Sequence, residues 1–196
     1  MDTNLHIDED FSEDKDHWTR LLKKEKAALA YFFRKYYSLL FNYGLKICRD
    51  ERLVEDTIQD VFVKIWNTRN LPEVTNPKSY VLIIFKNALL DKLKEAKKLG
   101  SGTFTFDHDT ESIQEKIIED ESMRAVRTQI DIGLDLLPAR QREILYLRFY
   151  NDLDYQEIAD VLGINYQSVR NSIHESMKKL RKTIVLGSII LVQYLF

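Results

Sequence analysis

DYQEIADVLGINYQSVRNSIHESMKKLRK, residues 154–182, holds two short helical patterns with a tight turn between them. Asp154 followed by Glu157 fits a capping-box variant, in which each side chain satisfies the other's backbone N–H, and it opens a helix over 155–162. Gly163 ends that helix, because a left-handed backbone is cheap only for glycine. Ile164 packs down and Asn165 caps the next helix, which turns Val169, Ile173, Met177 and Leu180 inward. Ala159 is small because the second helix crosses close to the first. Small residue, turn glycine and inward valine stand at the offsets of a helix-turn-helix. The outward face of the second helix then offers Gln167, Ser168, Arg170, Asn171, His174 and Lys178, side-chain types suited to base edges and phosphates in a major groove. Across 164–182, Arg170, Lys178, Lys179, Arg181 and Lys182 stand against Glu175 alone. The plainer alternative is a helical corner with no nucleic-acid role. The agreement of cap, glycine, small residue and basic face favours DNA. Ser172 lies where many such motifs carry an apolar residue, with Ile173 taking that job, so the outward list depends on the helix phase.

The rest of the chain extends the helical reading. Among 196 residues there are 6 Gly and 3 Pro, too few for a strand-and-turn fold, and 31% charged and 44% hydrophobic residues suit a soluble globular protein. The fold class expected is all-α, in two helical domains joined by an acidic linker. Cys48 stands alone, which excludes an internal disulfide and fits a reducing cytosol. His6, His17, His108 and His174 show no metal-ligand spacing, so no metal or other cofactor is expected. There is no nucleophile–base constellation and no phosphate-binding glycine loop, so neither catalysis nor a small-molecule substrate is expected. The acidic start resembles neither a secretory signal nor a transit peptide.

Net charge is −2, which taken alone argues against a nucleic-acid partner. The distribution reverses that reading. Residues 1–20 hold seven acids against Lys15 and Arg20, and residues 103–122 hold seven more against Lys116. With both stretches set aside, 26 basic residues face 17 acidic ones. Basic bodies are thus preceded and joined by acidic strings, which are either simply solvated or shield the basic surfaces from stray DNA.

Residues 1–20 read as a disordered acidic tail. From about Leu21 an apolar stripe of Leu29, Phe32, Phe33, Tyr36, Leu40 and Phe41 marks a long helix. A second runs over 51–66 with Val54, Ile58, Val61, Phe62 and Ile65 inward. After a loop at 67–76, Asn76 caps a third helix with Pro77 at its first position, and that helix ends in the charged run 92–98. Residues 99–111 form the linker, since LGSGTFTFDHDT (99–110) has no helical period. Helical pattern resumes over 112–137, and Pro138 opens a further helix carrying Ile144, Leu145 and Leu147 inward. The domains are therefore 21–98 and 112–182, with an apolar tail at 183–196.

The ordered combination resembles a known family. LPARQREILYLRFYNDLDYQEIADVLGINYQSVRNSIHESMKKLR is similar to region 4 of the sigma-70 family, which reads the minus-thirty-five promoter element. DERLVEDTIQDVFVKIW resembles region 2.2, and NPKSYVLIIFKNALLDKLKEAKK resembles regions 2.3 and 2.4, which melt and read the minus-ten element. Their order and the missing regions 1 and 3 look like the extracytoplasmic-function group. The resemblance implies an alternative sigma factor, a cytoplasmic protein whose partners are core RNA polymerase and promoter DNA, with an anti-sigma factor as a further candidate partner. It implies that Asp56, Gln59, Asp60 and Lys64, one polar face of the helix over 51–66, dock on polymerase. It implies that Lys78, Tyr80, Lys86, Asn87 and Lys94, with Asp91, are candidates for the minus-ten face, near a loop at 71–76 that captures a flipped base. For Tyr80, stacking on a base and packing in the core stand as equal readings. The linker of such proteins runs through polymerase, where acids at 107–121 would suit a basic channel.

Two other functions compete: a helix-turn-helix regulator that never joins polymerase, and a decoy that keeps the fold without binding DNA. The polar face at 56–64 has no purpose in the first, and the basic recognition helix argues against the second. The tail TIVLGSIILVQYLF (183–196) departs from the resemblance. It reads first as an extension of the last helix packed on the body, second as a docking strip for an inhibitory partner, and last as a membrane anchor, for which it is short.

Overall fold

The computed structural model describes the backbone of residues 3–98 and 121–195, and the side chains of 12–98 and 128–183. Among the described residues there are eight helices and no strand: α1 (Thr3–Leu22), α2 (Lys26–Ile47), α3 (Glu51–Asn67), α4 (Pro77–Lys98), α5 (Glu121–Asp135), α6 (Ala139–Phe149), α7 (Tyr155–Leu162) and α8 (Tyr166–Leu195). They form two compact units, the first carrying α1–α4 and the second α5, α6, most of α7, and α8. The expected linker at 99–111, and the helical stretch expected over 112–120, lie outside the described residues.

In the first unit α2, α3 and α4 pack together; α3 buries its whole expected stripe, whereas Leu29, Phe33 and Phe41 of the stripe expected for α2 are only half-buried. Val54, Ile58, Val61, Phe62 and Ile65 of α3 are all buried, against Phe32, Tyr36, Leu40 and Tyr43 of α2 and Val81, Phe85 and Leu89 of α4. The starts of α3 and α4 are each fixed by a short side chain. Asp50 accepts from the Leu53 N–H at 3.0 Å, and Asn76 accepts from the Ser79 N–H at 2.9 Å.

The reading of residues 1–20 as disordered is corrected here: α1 spans nearly all of that stretch. The charges that suggested disorder conceal a helical row of Asp14, Trp18 and Leu21, each at most 4% exposed. Trp18 and Leu21 contribute burial worth roughly 2 kcal/mol apiece or more. Asp14 is an acid that folds with the core. Its carboxylate accepts from the Tyr31 hydroxyl (3.0 Å), the Lys35 ammonium (2.6 Å) and the Tyr36 hydroxyl, all on α2. A buried charge so completely paired escapes the penalty that an isolated one would carry. His17 stacks on Tyr31 with ring centroids 3.7 Å apart. The long helix expected from Leu21 is therefore two helices, broken where Lys24 takes φ +61°.

In the second unit α5 and α8 lie in close contact. A Cβ added at Gly133 would sit 2.7 Å from Leu180 Cδ2, the far end of a flexible side chain, and 3.8 Å from the Leu180 Cα. Ile144, Leu145 and Leu147 of α6 are buried as expected, with Leu153, Ile158 and Val169. Glu143, also buried, pairs with Arg140 at 2.9 Å. The tail at 183–196 continues α8 as far as Leu195, so the helix does extend. Its side chains from 184 onward lie outside the described residues. Among the described residues no helix is long and apolar enough to cross a membrane.

Candidate nucleic-acid interface

The turn between α7 and α8 is built from the local signals. The Glu157 N–H donates to Asp154 Oδ1 at 2.8 Å, and the Asp154 N–H donates to Glu157 Oε2 at 2.6 Å. The two side chains thus close a reciprocal cap. At the other end Gly163 takes φ +62°, the Ile164 N–H donates to the Ala159 carbonyl at 3.0 Å, and the Gly163 N–H donates to the Asp160 carbonyl at 3.3 Å. This pair of bonds is a Schellman ending. Asn165 Oδ1 then accepts from the Ser168 N–H at 2.7 Å and starts α8.

All six outward residues, Gln167, Ser168, Arg170, Asn171, His174 and Lys178, are exposed along the first turns of α8. Gln167 Nε2 donates to Asn171 Oδ1 at 3.0 Å, which orders two amides one helical turn apart. The inward row differs from expectation at one place. Val169 and Ile173 are buried, but Met177 is 40% exposed and Ser176 is 1% exposed. The row is 169, 173, 176 and 180, and Met177 falls outside it.

Sequence reading missed the flank of this surface. Arg148, Asp154, Tyr155, Gln156 and Tyr166 line an open depression at the start of α7. The Arg148 guanidinium lies 5.6 Å from the centre of the Tyr155 ring and donates to the Leu153 carbonyl at 2.9 Å, while Tyr155 and Tyr166 are 5.8 Å apart. Arg148 lies in the last turn of α6, so no motif within 154–182 could reveal it.

In the first unit, Asp56, Gln59, Asp60 and Lys64 are all exposed, on the side of α3 away from its buried stripe. Asp60 Oδ2 accepts from Lys92 Nζ of α4 at 2.6 Å. The α4 candidates separate. Asn87 and Lys94 are exposed, Lys94 pairing with Asp91 at 2.9 Å, and Lys78 is partly exposed. Lys86 is corrected: it is 5% exposed, because 82, 85, 86, 89 and 93 fall on the core side of α4. Tyr80 is partly buried, its ring edge-on to Trp18 with centroids 5.2 Å apart, and burial raises its phenol above the ordinary range. Of the two readings of Tyr80, packing is the one this contact displays.

The family profile described as Sigma-70 region 2 matches residues 32–99, and the one described as Sigma-70, region 4 matches residues 127–180. The chain is similar to the ECF RNA polymerase sigma factor SigK of Mycolicibacterium vanbaalenii, at 23% identity over 172 residues covering 83% of this chain and 85% of that protein. It is similar to the RNA polymerase sigma factor SigV of Bacillus subtilis, at 29% identity over 146 residues covering 74% and 82%. Its fold resembles that of CnrH, solved in complex with the cytosolic domain of CnrY, with a TM-score of 0.54, 18% identity and coverage of 88% and 97%. The profile matches fall one on each helical unit and in the order that the motifs run, and together they take in more than half of the residues. The chain belongs to the extracytoplasmic-function group of the sigma-70 family.

Proposed function

We propose that this protein binds core RNA polymerase through the exposed face of α3 and directs it to a class of promoters, engaging the minus-ten element with α4 and the loop before it, and the minus-thirty-five element with α8. The observation that carries the reading is the pairing of two exposed polar surfaces in one chain. Asp56, Gln59, Asp60 and Lys64 stand opposite a buried stripe on α3, and an unobstructed row from Gln167 to Lys178 stands on α8. Such a protein performs no bond chemistry itself. It supplies binding energy that differs between closed and melted DNA, while polymerase transfers the nucleotidyl groups. Arg170 and Asn171 are the α8 side chains suited to base edges, and Lys178 and Arg148 to phosphates. The cytoplasm is the compartment where such a protein meets its polymerase.

The same reading includes a protein partner that holds the factor inactive. RpoE of Bartonella quintana, a structure of similar fold at a TM-score of 0.54, was solved with the anti-sigma factor NepR. That likeness supports a partner of the same kind here.

The test is transcription in vitro with core polymerase, sheared DNA of the source organism, and the full chain added or omitted. New discrete transcripts are expected. Asp60→Arg is expected to abolish them along with co-elution on core, since a mismatched charge at such an interface costs about 2–5 kcal/mol. Arg170→Ala is expected to weaken them by about 1–3 kcal/mol while sparing co-elution. Co-elution that survives Asp60→Arg unchanged would remove α3 from the polymerase interface.

A further inference from the structure

Between α3 and α4 the chain runs from 68 to 76 with no regular structure, and most of its side chains are exposed. Such a segment pays a large entropy cost to hold one shape, so something outside it must supply the constraint. A side chain of α1 reaches across to its middle. The Trp18 indole Nε1–H of α1 donates to the Pro72 carbonyl at 2.9 Å, from 54 positions away in the chain.

The indole is itself immobilised. Trp18 is 2% exposed, with its ring edge-on to Phe32 of α2 (5.6 Å) and to Tyr80 of α4 (5.2 Å). A second tie comes from the turn that ends α1. Lys24, held at φ +61°, donates from Nζ to the Trp66 and Thr68 carbonyls at 2.6 Å each. The loop is thus fixed at its start by Lys24, at its middle by Trp18 and at its end by the Asn76 cap.

We propose that Trp18 is a positioning residue for minus-ten recognition, holding the 69–75 loop in the shape that receives the unpaired base. This rests on the proposed function, in which that loop meets the melted strand. A flipped base gains its edge hydrogen bonds only where donors and acceptors stand ready, because a loop that must first be ordered subtracts that ordering from the binding energy. Trp18 touches no DNA in this account. It acts through Pro72, and through Tyr80 at the start of α4.

The test uses holoenzyme assembled from the full chain and core polymerase on a promoter recovered by the transcription screen, with each base of the melted segment varied in turn. Trp18→Phe keeps an aromatic ring on Phe32 and Tyr80 and removes the donor. Benzothienylalanine at the same position replaces the ring N–H by sulfur with the shape preserved, so folding is retained should phenylalanine fail. Both are expected to bind core within twofold of the parent and to lose about tenfold in open-complex formation, the worth of one constrained hydrogen bond. The loss is expected to concentrate at one or two base positions whose discrimination flattens.

A companion chain in which the exposed loop residues Arg69, Asn70, Glu73 and Thr75 are all alanine reports on the underlying reading. If it alters base preference and both Trp18 variants leave every preference as in the parent, the Trp18 proposal is overturned and the loop assignment stands. If neither alters any preference, the loop is not the reader and both fall. Equal weakening of core binding, closed-complex formation and all base positions by the Trp18 variants would mark a structural role only, and would also overturn the proposal.

Discussion

Gly44 leaves no room for a methyl group: an added Cβ would lie 2.7 Å from Val54 Cγ1 and 2.9 Å from Phe85 Cζ, at the meeting of α2, α3 and α4. Alanine gains up to about 1 kcal/mol of helix propensity over glycine, but overpacking a filled core costs about 1–3 kcal/mol. Gly44→Ala is therefore expected to lower the urea midpoint of the first unit. An unchanged or raised midpoint would mean that Val54 and Phe85 have room to move. The aromatic hydroxyls give a second test at this scale. Burial pushes the Tyr31 phenol up to about 12, its hydrogen bonds with Lys35 and Asp14 pulling in opposite directions, and burial likewise pushes the Tyr146 phenol up to about 12. A phenol that keeps its proton longer in the folded chain than in the unfolded one stabilises the fold fully below the unfolded value near 10, and that contribution is lost as pH rises through about 12. Denaturant midpoints are expected to hold up to pH 10 and fall above it. Tyr31→Phe should make the fall shallower, and an identical slope in that variant would show that Tyr31 takes no part in it.

The helices show which signals a sequence carries openly. Caps and turn residues act within three or four positions, so Asp154 with Glu157, Gly163, Asn165 and the Asn76–Pro77 start were all legible, and each bond forms as read. Gly163 yields a clean test, because a Cβ there meets nothing within 4 Å and the whole demand is its φ of +62°. Gly163→Ala is expected to cost about 1–2 kcal/mol, the price of a left-handed non-glycine residue. Gly163→Asn should cost less, and equal melting temperatures for the two would refute a purely conformational account. What stayed hidden depends on partners far away in the chain. Asp14 looks like one acid among seven until Tyr31, Lys35 and Tyr36 surround it, so α1 was mistaken for a tail. Lys86 looks like a DNA contact by residue type, whereas its place beside Leu82, Phe85 and Leu89 puts it on the core side. Met177 was assigned inward by apolar character, whereas the helix phase buries Ser176 instead. The polar faces of α3 and α8 were legible because a buried stripe on one side of a helix fixes what the other side exposes.

Over the whole molecule, charge is arranged so that the total conceals it. A net charge of −2 comprises two acid-rich stretches and a remainder with 26 basic residues against 17 acidic ones. If the acids at 103–122 compete with DNA for the basic surfaces, they lower affinity for every duplex equally, and such competition is electrostatic, so salt erases it. The screening length is about 10 Å at 0.1 M salt and about 3 Å at 1 M. Replacing Asp107, Asp109, Glu111, Glu115, Glu119, Asp120 and Glu121 by their amides is expected to tighten binding to random duplex DNA at low salt. The gap should close as salt rises. The slope of log affinity against log salt counts the phosphates that basic side chains neutralise, and those side chains are untouched, so competition by the acids is read from the difference between the two slopes. A steeper slope in the amide variant means that the acids had been covering basic residues which then reach phosphate. Parallel lines with a constant offset mean that affinity changed for a reason other than charge. Coincident lines mean that the stretch is a solvated connector, and that discrimination against stray DNA rests on the helical units themselves.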